Sequence, residues 1–184
     1  MKGNRAIVTA LVVVVVLLLG WYLVRRSSHS GAIDLVARFD KAAKRPESAS
    51  FPVIEATLGN ETKKAIAPPG GPGTRLTWKV RVPDDGWLRV SVGLKPEVWE
   101  KPGDGVLFMV LVSDGKASDQ LFTQIVDPFN KPADRRWIPV MVDLSAYAGE
   151  EVDLIFNTYA SGPKVPVSMD NDAPLWGAPE IVIR

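Results

Sequence analysis

The residues able to do chemistry in this chain are carboxylates and indoles. Glu97 and Glu100 stand three apart in a proline-rich loop, the residue types a general acid and its partner need for glycoside cleavage, although carboxylates in such a loop are usually just solvated. Asp170-Asn171-Asp172 groups oxygen donors of the kind hard cations accept, with Asp104 or Glu180 as further donors. It lacks the glycine and later glutamate of an EF-hand loop, and Asp and Asn are at home in solvated turns. Trp99, in the loop Pro96 to Gly105, and Trp176, near Asn171, are the indoles that could offer a flat apolar ring beside polar groups. The competing role for both is packing. Asn60-Glu61-Thr62 is a formal glycosylation sequon on a turn, with meaning only in a eukaryotic secretory setting.

Much other chemistry is excluded. There is no cysteine among the 184 residues, which removes disulfides, thiol nucleophiles, thiolate metal sites and lipid-modified cysteines together. The one histidine, His29, comes after Arg25-Arg26-Ser27-Ser28 at the end of a hydrophobic run, where it joins neither a hydrolase triad nor a two-histidine metal site. The expectation is a protein without catalysis and without a cofactor, apart from the cation that residues 170–172 suggest.

Positioning falls to two unlike parts. Ala6 to Val24 is an uncharged run in which thirteen residues are Ile, Leu or Val, with Val14 near its middle. As a helix it spans about 28 Å, close to the hydrocarbon thickness of a bilayer. A strand would leave its backbone unpaired in lipid, so one transmembrane helix is expected, with Trp21 and Tyr22 at an interface beside Arg25 and Arg26. A cleavable signal peptide is the rival, with Ser30-Gly31-Ala32 as its small residues, but the run exceeds a usual signal core and ends in an Arg pair. The helix has no ionisable residue and suits an anchor, with a short cytoplasmic N-terminus and the domain on the extracytoplasmic, periplasmic side of the inner membrane. The literal count of flanking basic residues does not favour that orientation, yet long domains cross largely regardless of charge.

Beyond Arg26 lie 158 residues, enough for one domain, with 18 basic against 21 acidic residues. That balance carries no nucleic-acid footprint. Gly31 to Arg45 reads as a short amphipathic helix, with Ile33, Leu35, Val36 and Phe39 on one side and Asp34/Arg38 and Asp40/Lys44 as i,i+4 pairs, ended by Pro46. From Phe51 the period becomes two. Leu76, Trp78, Val80 and Val82 alternate with charged and polar residues, and Leu88, Val90, Val92 and Leu94 repeat the pattern after a Pro83-Asp84-Asp85-Gly86 turn. Val106 to Val112 is apolar on both faces and belongs at the centre of a sheet or under a covering element. Further strands are expected at 53–58, 64–67, 120–126, 137–143, 152–158 and 180–183. About nine short strands without a long intervening helix predict an all-β sandwich of two antiparallel sheets. The expected divisions are a transmembrane anchor at 1–26, a linker with the amphipathic helix at 27–50, and the sandwich at 51–184.

The stretch Trp137-Ile-Pro-Val-Met-Val-Asp143-Leu-Ser-Ala-Tyr147-Ala-Gly149, then Val152-Asp-Leu-Ile-Phe-Asn-Thr158 and Asp172-Ala-Pro-Leu-Trp176-Gly177-Ala-Pro179, resembles jelly-roll domains of the galactose-binding-like fold. Leu94-Lys-Pro96-Glu97-Val-Trp99 and Gly103-Asp104-Gly105-Val-Leu-Phe108 resemble the version attached to bacterial membrane and extracytoplasmic proteins. The resemblance covers most of 51–184. It implies a jelly-roll-type sandwich and, at Asp170 and Asp172, a structural calcium. For ligand or partner contact it leaves Trp99, Trp176 and Asn171. Fold alone does not give function. Two non-catalytic readings remain: an accessory or scaffolding subunit of a larger membrane complex of the energy-transducing or secretion type, which the sequence favours because no enzyme is attached, and a membrane-anchored carbohydrate-binding module whose partners are glycans. The Asp143-to-Gly149 motif is itself structural: its Asp or Ser can cap a turn, and Gly149 supplies a permissive dihedral.

Overall fold

The computed structural model describes residues 32–161 and 171–184, and Ala32–Arg184 gather into one compact unit. Among the described residues the strands are β1 (Ile33–Asp34), β2 (Ala43–Arg45), β3 (Val53–Leu58), β4 (Glu61–Ile66), β5 (Thr74–Arg81), β6 (Gly86–Leu94), β7 (Val106–Ser113), β8 (Ser118–Val126), β9 (Ile138–Asp143), β10 (Glu151–Ala160) and β11 (Pro174–Ile183). The described helical residues are single 3-10 turns at Phe39–Lys41, Pro96–Val98, Pro132–Asp134 and Ser145–Tyr147. All pairings are antiparallel. One sheet runs β3-β4-β11-β6-β9, with β1 added on β11, and the other runs β2-β5-β10-β7-β8.

Period-two alternation builds the core between the sheets. β5 buries Leu76, Trp78 and Val80 and turns Arg75, Lys79 and Arg81 outward, as its spacing predicts. β6 contributes Leu88, Val90, Val92 and Leu94, and β7 contributes Val106, Phe108, Val110 and Val112. Across the middle, Trp78 meets Phe156 edge-on with centroids 5.2 Å apart, Phe156 meets Trp176 at 4.5 Å, and Trp176 meets Phe108 at 5.0 Å. Each such pair adds about 0.5–1.5 kcal/mol beyond area burial. β7 sits between β10 and β8, as expected for a strand apolar on both faces.

Two sequence expectations change. The amphipathic helix of 31–45 is replaced, over its described residues, by β1, one 3-10 turn and β2. Asp34 Oδ1 accepts from the N–H groups of Val36 and Ala37 at 2.8 and 2.9 Å, a local bond that competes with helix. Sheet edges claim the two ends of the segment: Ile33 pairs with Ile181 on β11, and Ala43–Arg45 pair with Arg75–Thr77 on β5. Leu35 and Val36 both reach the core from this segment. Residues 32–50 are therefore part of the sandwich. The second change is β11, which begins at Pro174, not near 180, because a bulge between Gly177 and Glu180 absorbs Ala178 and Pro179 and lets both halves pair with β6. No helix among the described residues is long and apolar enough to cross a membrane. The run holding Ala6, Val14, Trp21, Tyr22 and Val24 lies outside the described residues, and so does His29.

A second, smaller cluster packs on the outer side of the six-stranded sheet. On β11, Trp176 points into the main core, so Leu175 and Gly177 point out. There Leu175 joins Ala56, Leu58, Ala65, Ala67 and Trp137. The Trp137 ring lies over Gly177, where an added Cβ would sit 2.7 Å from Cζ3, and its Nε1 donates to the Glu61 carbonyl at 3.0 Å. The centre of this face is covered by the chain's own β3–β4 hairpin and the segment leading into β9, while Met141 and Arg89 on the same face stay exposed.

Candidate functional site

Two places in the sandwich bear on function, and most residues singled out in the sequence fall at or near the first. At one end of the sandwich, loops around 96–105, 127–135 and 171–172 interlock. Asn171 Nδ2 donates to the Pro102 carbonyl at 2.9 Å, and Asn130 Nδ2 donates to the Gly103 carbonyl at 3.1 Å and to Asp127 at 2.9 Å. Trp99 is half-buried. Its Nε1 donates to the Leu94 carbonyl at 2.8 Å and its ring packs against both apolar clusters. It therefore staples its loop to β6 more than it offers a platform. Trp176 is corrected outright: at 0% exposure, in contact with Phe108 and Phe156, it has no face to give a ligand. The hydrophobic gain of burying an indole outweighs its partial polarity once its neighbours are aromatic.

Two of the carboxylates are likewise committed elsewhere, while Glu97 is exposed. Glu100 is bound by Arg135 Nη1 at 2.5 Å, and Arg135 Nε donates to the Pro128 carbonyl at 2.9 Å, so this carboxylate locks two loops together. Glu180, the proposed fourth donor for a cation, pairs with Arg89 at 2.8 Å on the six-stranded sheet. Asp170 lies outside the described residues. Asp104 Oδ1 is buried without a hydrogen-bond partner among the described residues, a feature that suits a cation. Among the described residues no three acidic or histidine side chains are gathered to hold a metal, so the donor set that the resemblance implies does not assemble from them.

The other place is the outer face of the five-stranded sheet. Register fixes what it shows. With Val106, Phe108, Val110 and Val112 turned inward, β7 presents Leu107, Met109 and Leu111, all half-buried. On β10, Ile155 faces Leu111, Asn157 faces Met109 and Tyr159 faces Leu107. On β8, Ile125 faces Leu107 and is 43% exposed, and Thr123 faces Met109. Polar groups border this strip: Arg75 Nε donates to Asn157 Oδ1 at 3.0 Å, and Lys79 Nζ donates to Asp153 Oδ1 at 2.9 Å. The Asp153 carboxylate holds the Lys79 ammonium above its usual lysine range through that hydrogen bond and its charge. The Tyr159 ring lies against Gly73, where a Cβ would come within 2.8 Å of ring atoms. Asn157, at 2% exposure, serves to hold the Arg75 guanidinium, and an aromatic ring and apolar side chains beside guanidinium, hydroxyl and carboxylate groups can meet both the C–H faces and the hydroxyls of a polar ligand.

Tyr159 was not among the sequence candidates. Its signal was available: inward Val152, Leu154, Phe156 and Thr158 place the next residue outward, one position past the expected strand end. The turn motif behaves as expected, with Ser145 N donating to Asp143 Oδ1 at 2.8 Å and Gly149 at φ 78°.

Two antiparallel sheets in this order, with the closing β10–β11 strands at the centre, define a galactose-binding-like jelly-roll sandwich. Solved structures with this fold include the CBM51-2 and INT domains of Clostridium perfringens ZmpB, 15% identical with a TM-score of 0.57, covering 77% of this chain and 29% of that one. The CBM51-2 and INT structure in complex with GlcNAc is 16% identical with a TM-score of 0.52 over the same shares. The K1 cleaved adhesin domain of Lys-gingipain from Porphyromonas gingivalis W83 is 13% identical with a TM-score of 0.51, covering 78% of this chain and 91% of that domain. At such identities the likeness is one of fold. An "Uncharacterized protein" of Archaeoglobus fulgidus is 37% identical over 136 residues, which is 71% of this chain and 30% of that protein. The chain thus spans less than a third of that relative's length. No family model matches the chain.

Proposed function

We propose that this chain is a non-catalytic, membrane-tethered glycan-binding module that takes its ligand on the outer face of the five-stranded sheet. One observation carries the reading: the Trp137 cluster packs over the centre of the six-stranded sheet's outer face, whereas among the described residues the outer face of the five-stranded sheet carries Tyr159, the β7 apolar strip and the exposed Ile125, with Arg75 held beside them by Asn157. Structures of similar fold that are carbohydrate-binding modules, one holding GlcNAc, support this choice over an accessory subunit of a membrane complex. No feature of the described residues favours the subunit reading. The tether is the run Ala6 to Val24, and alkaline extraction should leave the full chain in the membrane pellet.

Calorimetric titration of the full chain in detergent with oligosaccharides chosen from a glycan array tests the reading. Saturable binding is expected, lost in Tyr159→Ala and kept in Trp99→Ala, with both variants checked for an unchanged far-ultraviolet spectrum. Absence of any saturable saccharide, or a folded Tyr159→Ala that binds as well as the parent, would overturn it.

A further inference from the structure

At one edge of the open face is a cavity of about 470 Å³, within the size range of small-ligand sites, lined by Arg38, Lys41, Thr77, Lys79 and Asp153 among others. We propose that this cavity seats the negatively charged group of an acidic saccharide, carboxylate or sulfate, held between Arg38 and Lys41. The proposal rests on the glycan-binding reading and names its ligand class.

The cavity exists because β2 is short. Its ladder to β5 ends where Ala43 meets Thr77, whereas β10 pairs with β5 as far as Arg81. Beyond Thr77 the β5 edge has no strand partner among the described residues, and the backbone groups that face away from β10 are left for something else. What stands across the gap is the 3-10 turn Phe39–Lys41 and the residue before it. That turn is anchored: Leu35 and Val36 are in the main core, Lys41 N donates to the Arg38 carbonyl at 3.1 Å, and the Phe39 ring carries the Lys44 ammonium 4.3 Å from its centroid. Arg38 and Lys41 are therefore presented from a fixed support. Trp78 contributes to the wall, and its buried Nε1 has no hydrogen-bond partner among the described residues.

The charges do not cancel. Lys79 and Asp153 neutralise each other at 2.9 Å, leaving a carboxylate oxygen and the Thr77 hydroxyl to meet sugar hydroxyls. Arg38 and Lys41 have no carboxylate partner among the described residues, so the cavity keeps an excess of positive charge in a chain whose part beyond Arg26 is net negative. An anion entering there gains charge-assisted hydrogen bonds, and a guanidinium can hold a carboxylate or sulfate through two of them. The cavity is also continuous with the glycan face. From the Lys79–Asp153 pair to the Arg75–Asn157 pair is four residues along the same two strands, about 13 Å, a span that one oligosaccharide covers.

Calorimetry on the full chain with three matched probes tests this: an oligogalacturonate, a sulfated galactan oligomer and the neutral galactan oligomer of equal length. The acidic probes should bind at least about tenfold tighter than the neutral one, with affinity falling as salt rises. The two acidic arms separate carboxylate from sulfate as the source of the charge. Arg38→Ala/Lys41→Ala should erase that margin and leave neutral binding unchanged, and the charge-conserving Arg38→Lys/Lys41→Arg should retain most of it. Equal affinity for neutral and acidic probes overturns the inference while the glycan-binding reading stands. So does an undiminished margin in the double alanine variant, or displacement of the acidic sugar by polyglutamate at equal charge. If none of the saccharides binds, the reading beneath it fails and the inference falls with it.

Discussion

The two outer faces of this sandwich obey the same alternation rule and are finished differently. On the six-stranded sheet, the outward residues at the centre are small or apolar: Ala65, Leu175 and Gly177. They accept Trp137 and Leu58, and the chain folds back on itself. On the five-stranded sheet, the outward residues mix half-buried Leu107 and Met109 and exposed Ile125 with Arg75, Lys79 and a buried Asn157. A covered face asks for complementary shape, which glycine supplies at Gly177. An open face must satisfy water and still keep apolar area for a ligand. That contrast favours the second face as the binding surface without reference to any relative.

The largest effects should come from the layer both faces share. Trp176→Ala removes a fully buried indole touching Phe108 and Phe156, and is expected to destabilise the fold by roughly 3–5 kcal/mol. Trp99→Ala, half-buried at a loop, should cost well under half of that. Urea denaturation of the two variants checks the contrast; comparable losses would mean that Trp99 is core and not a loop staple. Next in size is the covered face. Gly177→Ala drives a methyl to 2.7 Å from Trp137 Cζ3, and overpacking of this kind costs roughly 1–3 kcal/mol. Trp137 fluorescence should shift in the same variant. A neutral substitution with unchanged fluorescence would show that the Trp137 cluster is looser than its geometry indicates.

Strands with clean alternation were legible from the sequence, because one face is buried and a one-residue slip would reverse every side chain. That holds for 74–81 and 86–94, whose expected and observed ranges differ by two residues at most, while 106–113 was legible as an apolar run and not by alternation. The 31–45 segment was not legible. Its helical spacing is genuine, but what decides it is the presence of vacant β11 and β5 edges, which no local pattern displays. Site residues were harder still. A tryptophan beside a polar turn looks the same in sequence whether it is buried like Trp176 or stapled like Trp99. The alternation of β10 already turned Tyr159 outward, but only register placed it beside Leu107 and across from Gly73. The cavity at Arg38 and Lys41 could not be foreseen while those residues were assigned to a helix.

Smaller effects come from the β8 end of the open sheet. Tyr147 Oη donates to Asp119 Oδ2 at 2.8 Å, tying the 145–147 turn to an edge strand. Burial, then this hydrogen bond to a carboxylate, pushes the phenol up to about 12 from its ordinary 10.0. A group whose pKa is raised on folding contributes stability that is complete below the unfolded value and is lost as pH climbs to the folded one. Stability should therefore decline between about pH 10 and pH 12, and Tyr147→Phe should flatten part of that decline while leaving acid behaviour unchanged. Lys79, raised by Asp153, titrates in the same direction, so the comparison between parent and variant isolates the tyrosine. Identical alkaline slopes in thermal melts would remove the Tyr147–Asp119 contact from consideration.

The smallest stability effect belongs to the open face, and it separates the two faces most sharply. Ile125 is 43% exposed on an edge strand, paired with Leu107 and with no covering segment among the described residues. Ile125→Thr keeps a β-branched residue suited to a strand and removes little buried area, so its cost should stay within about 0.5 kcal/mol. In the proposed reading its apolar surface is nevertheless part of the strip that meets a ligand's C–H face. The variant should unfold with the parent yet bind the selected oligosaccharide several-fold more weakly. A stability loss as large as that of Gly177→Ala would show that Ile125 is packed under something, and the open face would then be covered like its counterpart. Unchanged stability with unchanged affinity would move the ligand away from β8, toward Tyr159 and the Arg38–Lys41 cavity.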